Sequence, residues 1–587
     1  MWIRLRDSSS TYKRMPSREY ANPVDTEENS ALLQNGMDQE TSSPSWKLSV
    51  PHVLVATLVA FLFGYHMGVV NEPLESISTD LGFSGNTLAE GLVVSACLAG
   101  AFVGSLLSGW IADGVGRRKA FQLCALPMII GASISLENTN TCMFSAMTNN
   151  LEGMLLGRFL VGTGLGVGPP VTSLYVTEIS PAFVRGTYGS FIQIATCLGL
   201  IGALFIGMPV KNTAGWWRVC FWVSAIPAAI LALAMVFCAE SPHWLYKVSE
   251  EVSILVEKMR HLQLPTKVIL ISKDILAWHG SSTCNATTVV RETTKAAGIT
   301  MAAGTGRAVG VTTVRVARVT TTRVRLWESQ ESRPRRGRIA EAEAEFEKLL
   351  GGSHVKSAMG ELSKSDRGDE TDSMKFSELI YGRHFRVVFI GSTLFALQQL
   401  SGINAVFYFS STVFRSAGVS SNLANIFVGI ANLLGSIIAL ILMDKLGRKV
   451  LLMWSFSGMA LSMALQVTAA GLSGSGSGAL YLSVGGMLLF VLTFAVGAGP
   501  VPGLLLPEIL PSRIRAKAMA FCMSVHWVFN FCVGLLFLPL LEHLGRRLLY
   551  SIFGTFCLLA VVFVKRNVME TKGKTLQEIE IALLPQD

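Results

Sequence analysis

Neutral hydrogen-bonding side chains recur where this sequence is otherwise apolar. Gln193 lies in one apolar stretch, Gln398, Gln399 and Asn404 in another ("QQLSGINAVFYFSS"), Asn432 in a third, and His526, Trp527 and Asn530 in a fourth. An amide donates and accepts at once, as a hydroxyl does, so a converging set of amides suits a ligand with vicinal hydroxyl groups. An amino acid, a phosphate or an organic cation would call for a charged partner. Helix-to-helix hydrogen bonding, worth about 0.6–2 kcal/mol per contact, accounts for a single amide more easily than for the set. The titratable member is His66, in "FGYHMGVVNE". A full charge at mid-helix in lipid costs roughly 2.5–3.5 kcal/mol on insertion scales, so His66 is expected to face a cavity and not hydrocarbon.

The elements that must position these groups are membrane helices. Of 587 residues, 50% are hydrophobic and 15% charged, against about 25% charged in soluble chains. Twelve apolar runs stand near 52–72, 90–112, 120–137, 152–177, 186–208, 217–239, 385–413, 423–443, 449–471, 480–506, 516–541 and 547–565. Runs of about 20 residues cross roughly 30 Å of hydrocarbon as helices, because lipid satisfies no bare backbone group. Bases follow the second, fourth, eighth, tenth and twelfth runs, while the loops after the first, third and ninth carry none. The positive-inside rule then puts both termini in the cytosol, with the loop holding Arg546 and Arg547 as the exception. The net charge of +9 follows from this asymmetry, and no nucleic-acid partner is expected. The ten cysteines are scattered without a C-x-x-C pair and read as small buried hydrophobes. No catalytic constellation, metal cluster or cofactor is expected. "GTGLGVG", Gly162 to Gly168, could suggest a dinucleotide loop, but it follows no strand and lies inside an apolar run, so close helix packing is the better reading.

The chain repeats itself. "DGVGRRKA" at Asp113 returns as "DKLGRKVL" at Asp444, 331 residues on. "EISPAFVRG" at Glu178 returns as "EILPSRIRA" at Glu508, and "ESPHWL" at Glu240 as "ETKGKTL" at Glu570, each 330 residues on. The expected architecture is all-α, twelve transmembrane helices in two six-helix halves, with the pathway between the halves. The domains are a tail at 1–50, a first half at 51–239, a cytosolic loop at 240–384, a second half at 385–565 and a tail at 566–587. Asp113, Arg117, Glu178, Arg185, Glu240, Asp444, Arg448, Glu508, Arg515 and Glu570 are expected to act as cytosolic gate charges. In that reading Glu178 sits across a loop from Arg185, Glu508 across one from Arg515, and opposite charges tie the halves together when the cytosolic mouth is shut.

Within the loop, 248–336 is rich in Thr, Val and Arg without helical period and reads as a disordered insert. "IAEAEAEFEKLL" then resumes an amphipathic helix, with Ile339, Ala342, Phe346 and Leu349 on one face. "LENTNTCMFS", 136–145, is a second irregular segment. Residues 1–50 mix Asp25, Glu27 and Glu28 with bases, a composition unlike an organelle transit peptide.

"GRFLVG", "EISP…RG", "QQLSGINAVFYFS", "KLGRK" and "PEILPSRIRAKA" together resemble the sugar porters of the major facilitator superfamily, and "FGYHMGVVN" with "SRIRAKAMAFCMSVHW" resembles plant plastidic glucose transporters. The resemblance implies a hexose carrier in a plastid envelope inner membrane, with sugar and membrane lipid as its partners. It makes Gln193, Gln398, Gln399, Asn404 and Asn432 sugar ligands and places Phe494, Trp527 and Asn530 in the same site. It also puts His66 where proton-driven members carry an Asp, which implies facilitated diffusion, with proton symport through His66 or Glu72 and a non-transporting sugar sensor as the alternatives. Gly503 and His526 depart from the animal facilitators' pattern, and Met569 replaces the Pro of the family's closing "PETKG".

Overall fold

The computed structural model describes residues 46–574 apart from 72, 135–150, 182–183, 211–214, 250–338, 366–383, 417–420, 473–476 and 512–513, together with 578, 579 and 582. The insert at 248–336 lies outside the described residues except for its first two positions, and the segment at 136–145 and Glu72 lie wholly outside them.

Every regular element among the described residues is helical. The first half contains α1 (Val50–Asn71), α2 (Thr87–Val115), α3 (Arg117–Ile134), α4 (Leu151–Ile179) and α5 (Arg185–Val210), then α6 (Trp216–Val223) and α7 (Ala225–Ala234) as two pieces of one pass. After α8 (Val355–Ser365), the second half contains α9 (Phe385–Leu400) and α10 (Ile403–Ser416) as one pass, α11 (Ser421–Leu446) and α12 (Arg448–Gly471). It closes with α13 (Ser477–Thr493), α14 (Pro500–Ile509) and α15 (Arg515–Asn567).

Among the described residues, ten helical stretches are long and apolar enough to cross a membrane. One of them, the 53-residue α15, breaks at Gly545, whose φ of 72° and ψ of 164° are not helical, and so makes two passes. α3 opens with Arg117, Arg118 and Lys119 and is apolar beyond them. Twelve passes result among the described residues, in agreement with the sequence expectation.

Large apolar side chains such as Leu54, Phe205, Leu233, Trp454 and Leu558 point outward, as a lipid-facing surface requires. Inside, packing relies on glycine. A Cβ on Gly162 would overlap the Cys97 carbonyl oxygen, one on Gly166 the Ala101 oxygen, and one on Gly104 the Thr163 oxygen. α2 and α4 therefore meet backbone to backbone, and "GTGLGVG" is a packing seam. The larger apolar cluster crosses both halves, joining Tyr65 and Val93 to Phe395, Phe409 and Trp527. The helix at 339–350 buries Ala342, Phe346 and Leu349. Leu349 joins the first half's own core, and the Phe346 ring lies 6.0 Å from that of His243.

Candidate functional site

The amides meet at a break. α9 ends at Leu400, and Gly402, at φ +87°, turns the chain into α10. Gln398, Gln399 and Asn404 flank this turn and join one another. Asn404 Nδ2 donates to Gln399 Oε1, and Gln399 Nε2 lies 3.2 Å from Gln398 Oε1 and 3.0 Å from His526 Nδ1. Gln398 Nε2 donates to the Ala498 carbonyl at 2.5 Å. That carbonyl belongs to a π-helical turn, Phe494–Ala498, joining α13 to α14. The wider turn leaves backbone acceptors off the regular ladder, which is why a side chain can claim one.

Aromatic groups wall the cluster. Trp527 meets Phe63 of α1 edge-on at 5.5 Å, and His526 packs between Trp527 and Phe395 at 4.9 and 5.2 Å. The first half supplies Gln193 of α5. A Cβ on Gly499 would come within 3.2 Å of the Gln193 amide and 3.1 Å of the Phe494 ring, so Gln193 and Phe494 share one spot.

Asn432 joins this group indirectly. Its carbonyl accepts from Ser436 Oγ at 2.8 Å, Ser436 lies 3.1 Å from Cys197 Sγ, and Cys197 lies 3.9 Å from Gln193 Nε2. Tyr408 donates to Asn530 Oδ1 at 3.3 Å. Asn432 Oδ1, Asn530 Nδ2 and Trp527 Nε1 are buried with no protein partner among the described residues. His66 lies three residues beyond Phe63, hence on the same face of α1. It is 3% exposed, and neither of its ring nitrogens has a protein partner among the described residues.

Cys197, Tyr408 and Ser436 escaped the sequence reading. Each stands four residues after a predicted site residue (Gln193, Asn404 and Asn432), which is the neighbouring position on a helix face.

The gate charges form two matching clusters at the basic end. Arg117 donates from Nε and Nη2 to Glu178 at 2.9 and 2.8 Å and lies 3.4 Å from Asp113. Ser241 Oγ donates to the same Glu178 at 2.6 Å. In the second half Arg448 lies 3.1 Å from Glu508 and 3.3 Å from Asp444, and Thr571 donates to Glu508 at 2.7 Å. Glu240 accepts the backbone N–H groups of Arg117 and Arg118, and Glu570 those of Arg448 and Lys449. Each thereby caps a helix N-terminus, where a carboxylate meets free donors and the positive end of the dipole. Gly116 and Gly447, at φ +92° and +91°, make the turns, and a Cβ on either would press on the capping carboxylate.

The expected pairing is thus corrected. Glu178 bonds Arg117 and not Arg185, and Glu508 bonds Arg448 and not Arg515, because helix packing brings the α3 and α12 N-termini against the ends of α4 and α14. These bonds also lie within a half, so they brace each half and do not tie the two together. Arg185 and Arg515 lie close enough to His243 for their charges to act on it. With burial as the main cause, they help lower its pKa to about 4, against the pull of Glu178. His243 is therefore neutral at ordinary pH.

The halves touch at both ends. At the basic end Thr187 donates to Asp444 at 3.0 Å, and Gly109 runs against the Ala516 carbonyl. At the other end Asn71 donates to Ser410 at 2.7 Å, and Gly91 meets the Leu535 carbonyl. Between these, one turn from Gly109 on α2, the Ser105 and Ser524 hydroxyls lie 2.9 Å apart. The halves therefore touch on either side of the amide cluster.

The family model described as "Sugar (and other) transporter" matches residues 52–270 and 318–583. The chain is 62% identical over 583 residues to "Probable plastidic glucose transporter 2" of Arabidopsis thaliana, covering 99% of this chain and 98% of that protein. It is 37% identical over 535 residues to "Plastidic glucose transporter 4" of the same plant, covering 91% and 80%. Among solved structures it is similar to the major facilitator superfamily proton:xylose symporter XylE bound to 6-bromo-6-deoxy-D-glucose, with a TM-score of 0.69, 26% identity, and coverage of 92% of this chain and 99% of that one.

Proposed function

Because the chain belongs to the sugar (and other) transporter family, we propose that it carries a hexose, D-glucose first, across a plastid envelope inner membrane by alternating access. The amide network of Gln398, Gln399 and Asn404, faced by Gln193 and Trp527 from other helices, is the observation that carries this reading. Its free valences are neutral donors and acceptors, the complement of sugar hydroxyls, and the aromatic walls cover the ring's C–H faces. Asn432 and Asn530 extend the hydrogen-bonding surface, and Phe494 and His66 complete the lining. The plastidic assignment rests on the names of the relatives, and a C-terminal fluorescent fusion observed in plant cells tests it.

The central test is flux. Purified protein in liposomes should show saturable D-glucose uptake that unlabelled glucose competes. A folded preparation with no flux above empty liposomes would sink the reading, and sugar binding without flux would make the chain a sensor. Gln399→Ala and Asn404→Ala should each weaken glucose binding about 2- to 12-fold, the loss of one neutral hydrogen bond at roughly 0.5–1.5 kcal/mol. Unchanged affinity in both variants would leave these amides a purely structural role.

Transport is downhill in this proposal. His66 stands where an exchangeable carboxylate would be needed, and a neutral imidazole offers one donor and one acceptor to a hydroxyl. Sealed proteoliposomes with no sugar gradient and an inward proton gradient should therefore accumulate no glucose above the outside concentration. Accumulation abolished by an uncoupler and by His66→Asn would make the chain a symporter.

A further inference from the structure

We propose that Arg158 of α4 and His66 of α1 bind a small monovalent anion, of chloride's size, beside the sugar site. Arg158 is 3% exposed. Its Nε lies 3.4 Å from the Val93 carbonyl, its guanidinium carbon sits 5.4 Å over the Phe221 ring, and its Nη1 is buried with no acceptor among the described residues. No carboxylate among the described residues stands on it. Arg117 and Arg448, equally buried, each hold two carboxylates. An aromatic face contributes about 0.5–2 kcal/mol to a cation, whereas burying an unpaired one costs several. The excess positive charge needs a counter-charge, since buried charges are met by partners.

The counter-charge has a prepared place. His66 is also 3% exposed, and both its nitrogens lack partners among the described residues. Tyr65, the neighbour of His66, donates to the Cys220 carbonyl at 2.6 Å, and Arg158 stands over the next residue, Phe221, so α1 at His66 and α4 at Arg158 meet over the same turn of α6. Asp80, at the end of the short helix after α1, is exposed, bonds Trp217 Nε1 at 2.8 Å and forms no ion pair with Arg158 among the described residues. A neutral sugar cannot neutralise a guanidinium. One guanidinium edge and one imidazole N–H suit a single weakly hydrated anion, and a phosphate would need more donors than these two side chains present. The anion would let the buried arginine persist between sugar cycles without a carboxylate beside it. This goes beyond the assignment of a sugar, and its first readout does not depend on transport.

The test compares chloride with gluconate at constant ionic strength, which holds screening fixed. The purified full chain should gain about 2–4 °C in melting temperature as chloride saturates, with bromide replacing chloride and gluconate inert. Glucose flux in proteoliposomes should be higher in chloride than in gluconate. Arg158→Gln should abolish the chloride response of the melting temperature, and His66→Phe should raise the chloride concentration it requires several-fold. Wild-type protein that melts and transports identically in the two salts overturns the proposal, and this is the result to expect if Glu72 supplies the charge. A full chloride response in Arg158→Gln overturns it too. Should Arg158→Gln fail to fold, an unchanged chloride requirement in His66→Phe overturns it instead.

Discussion

Glu178→Gln is expected to destabilise the protein by about 3–5 kcal/mol, the cost of leaving one partner of a buried ion pair uncompensated. Glu178 is the hub of its cluster, taking two guanidinium bonds from Arg117 and a third from Ser241. The amide has nearly the same shape, so packing survives, but one oxygen becomes an NH2 group aimed at a cation. Arg117 then keeps one carboxylate within contact, Asp113 at 3.4 Å, besides its hydrogen bond to the Ala112 carbonyl. Against total stabilities of 5–15 kcal/mol for folded domains, that loss should appear as a large drop in melting temperature and in monodisperse yield from detergent. A double variant that replaces Arg117 by Met as well should recover part of the loss, since removing both charges removes the unpaired one. A single variant that melts with wild type would show that the cluster is solvated and contributes little.

Gly166→Leu should be more damaging, and for a reason unrelated to charge. Its Cβ alone would overlap the Ala101 carbonyl oxygen across the α2–α4 seam, so the helices must separate before any further atom is placed. Neither backbone can yield as a flexible side chain would. The expected result is no folded protein by size-exclusion profile, with Gly166→Ala already impaired. Gly485→Ala is the control. It also lies in a membrane helix, but its Cβ meets nothing within 4 Å, and it should behave as wild type or slightly better. Equal behaviour of the Gly166 and Gly485 variants would contradict the seam.

The passes and the repeat were legible in the sequence because both are local. A run of apolar residues is written in consecutive letters, and "DGVGRRK" repeats as "DKLGRK" whatever surrounds it. The polar set was legible too, since an amide in a lipid-spanning stretch stands out by type alone. The pairing was not. Arg117 meets a carboxylate 61 residues away and a capping one 123 residues away, distances at which only the packed helices decide who meets whom. Arg185, seven residues from Glu178, was the natural guess from proximity along the chain. Ser241 and Thr571 sat unread beside their acids, because a hydroxyl next to a carboxylate carries no signal until the helix that receives it is placed. The proposed need for a counter-charge at Arg158 was invisible for the converse reason: among the described residues no carboxylate stands on it, and a sequence records only what is present.

The two charge clusters match in sequence but not in exposure. Asp113 is 3% exposed and sealed within its own half by Arg117 and Lys247, whereas Asp444 is 34% exposed and reaches over to Thr187. Duplication has therefore left one stiff jaw and one yielding jaw. In the alternating-access cycle proposed above, parting of the basic end would leave the first half's network whole and give up the Thr187–Asp444 bond, a charge-assisted hydrogen bond of about 1.5–3 kcal/mol. That is about the size of step that thermal motion crosses readily, which fits the more exposed acid, Asp444, for the latch in that proposal.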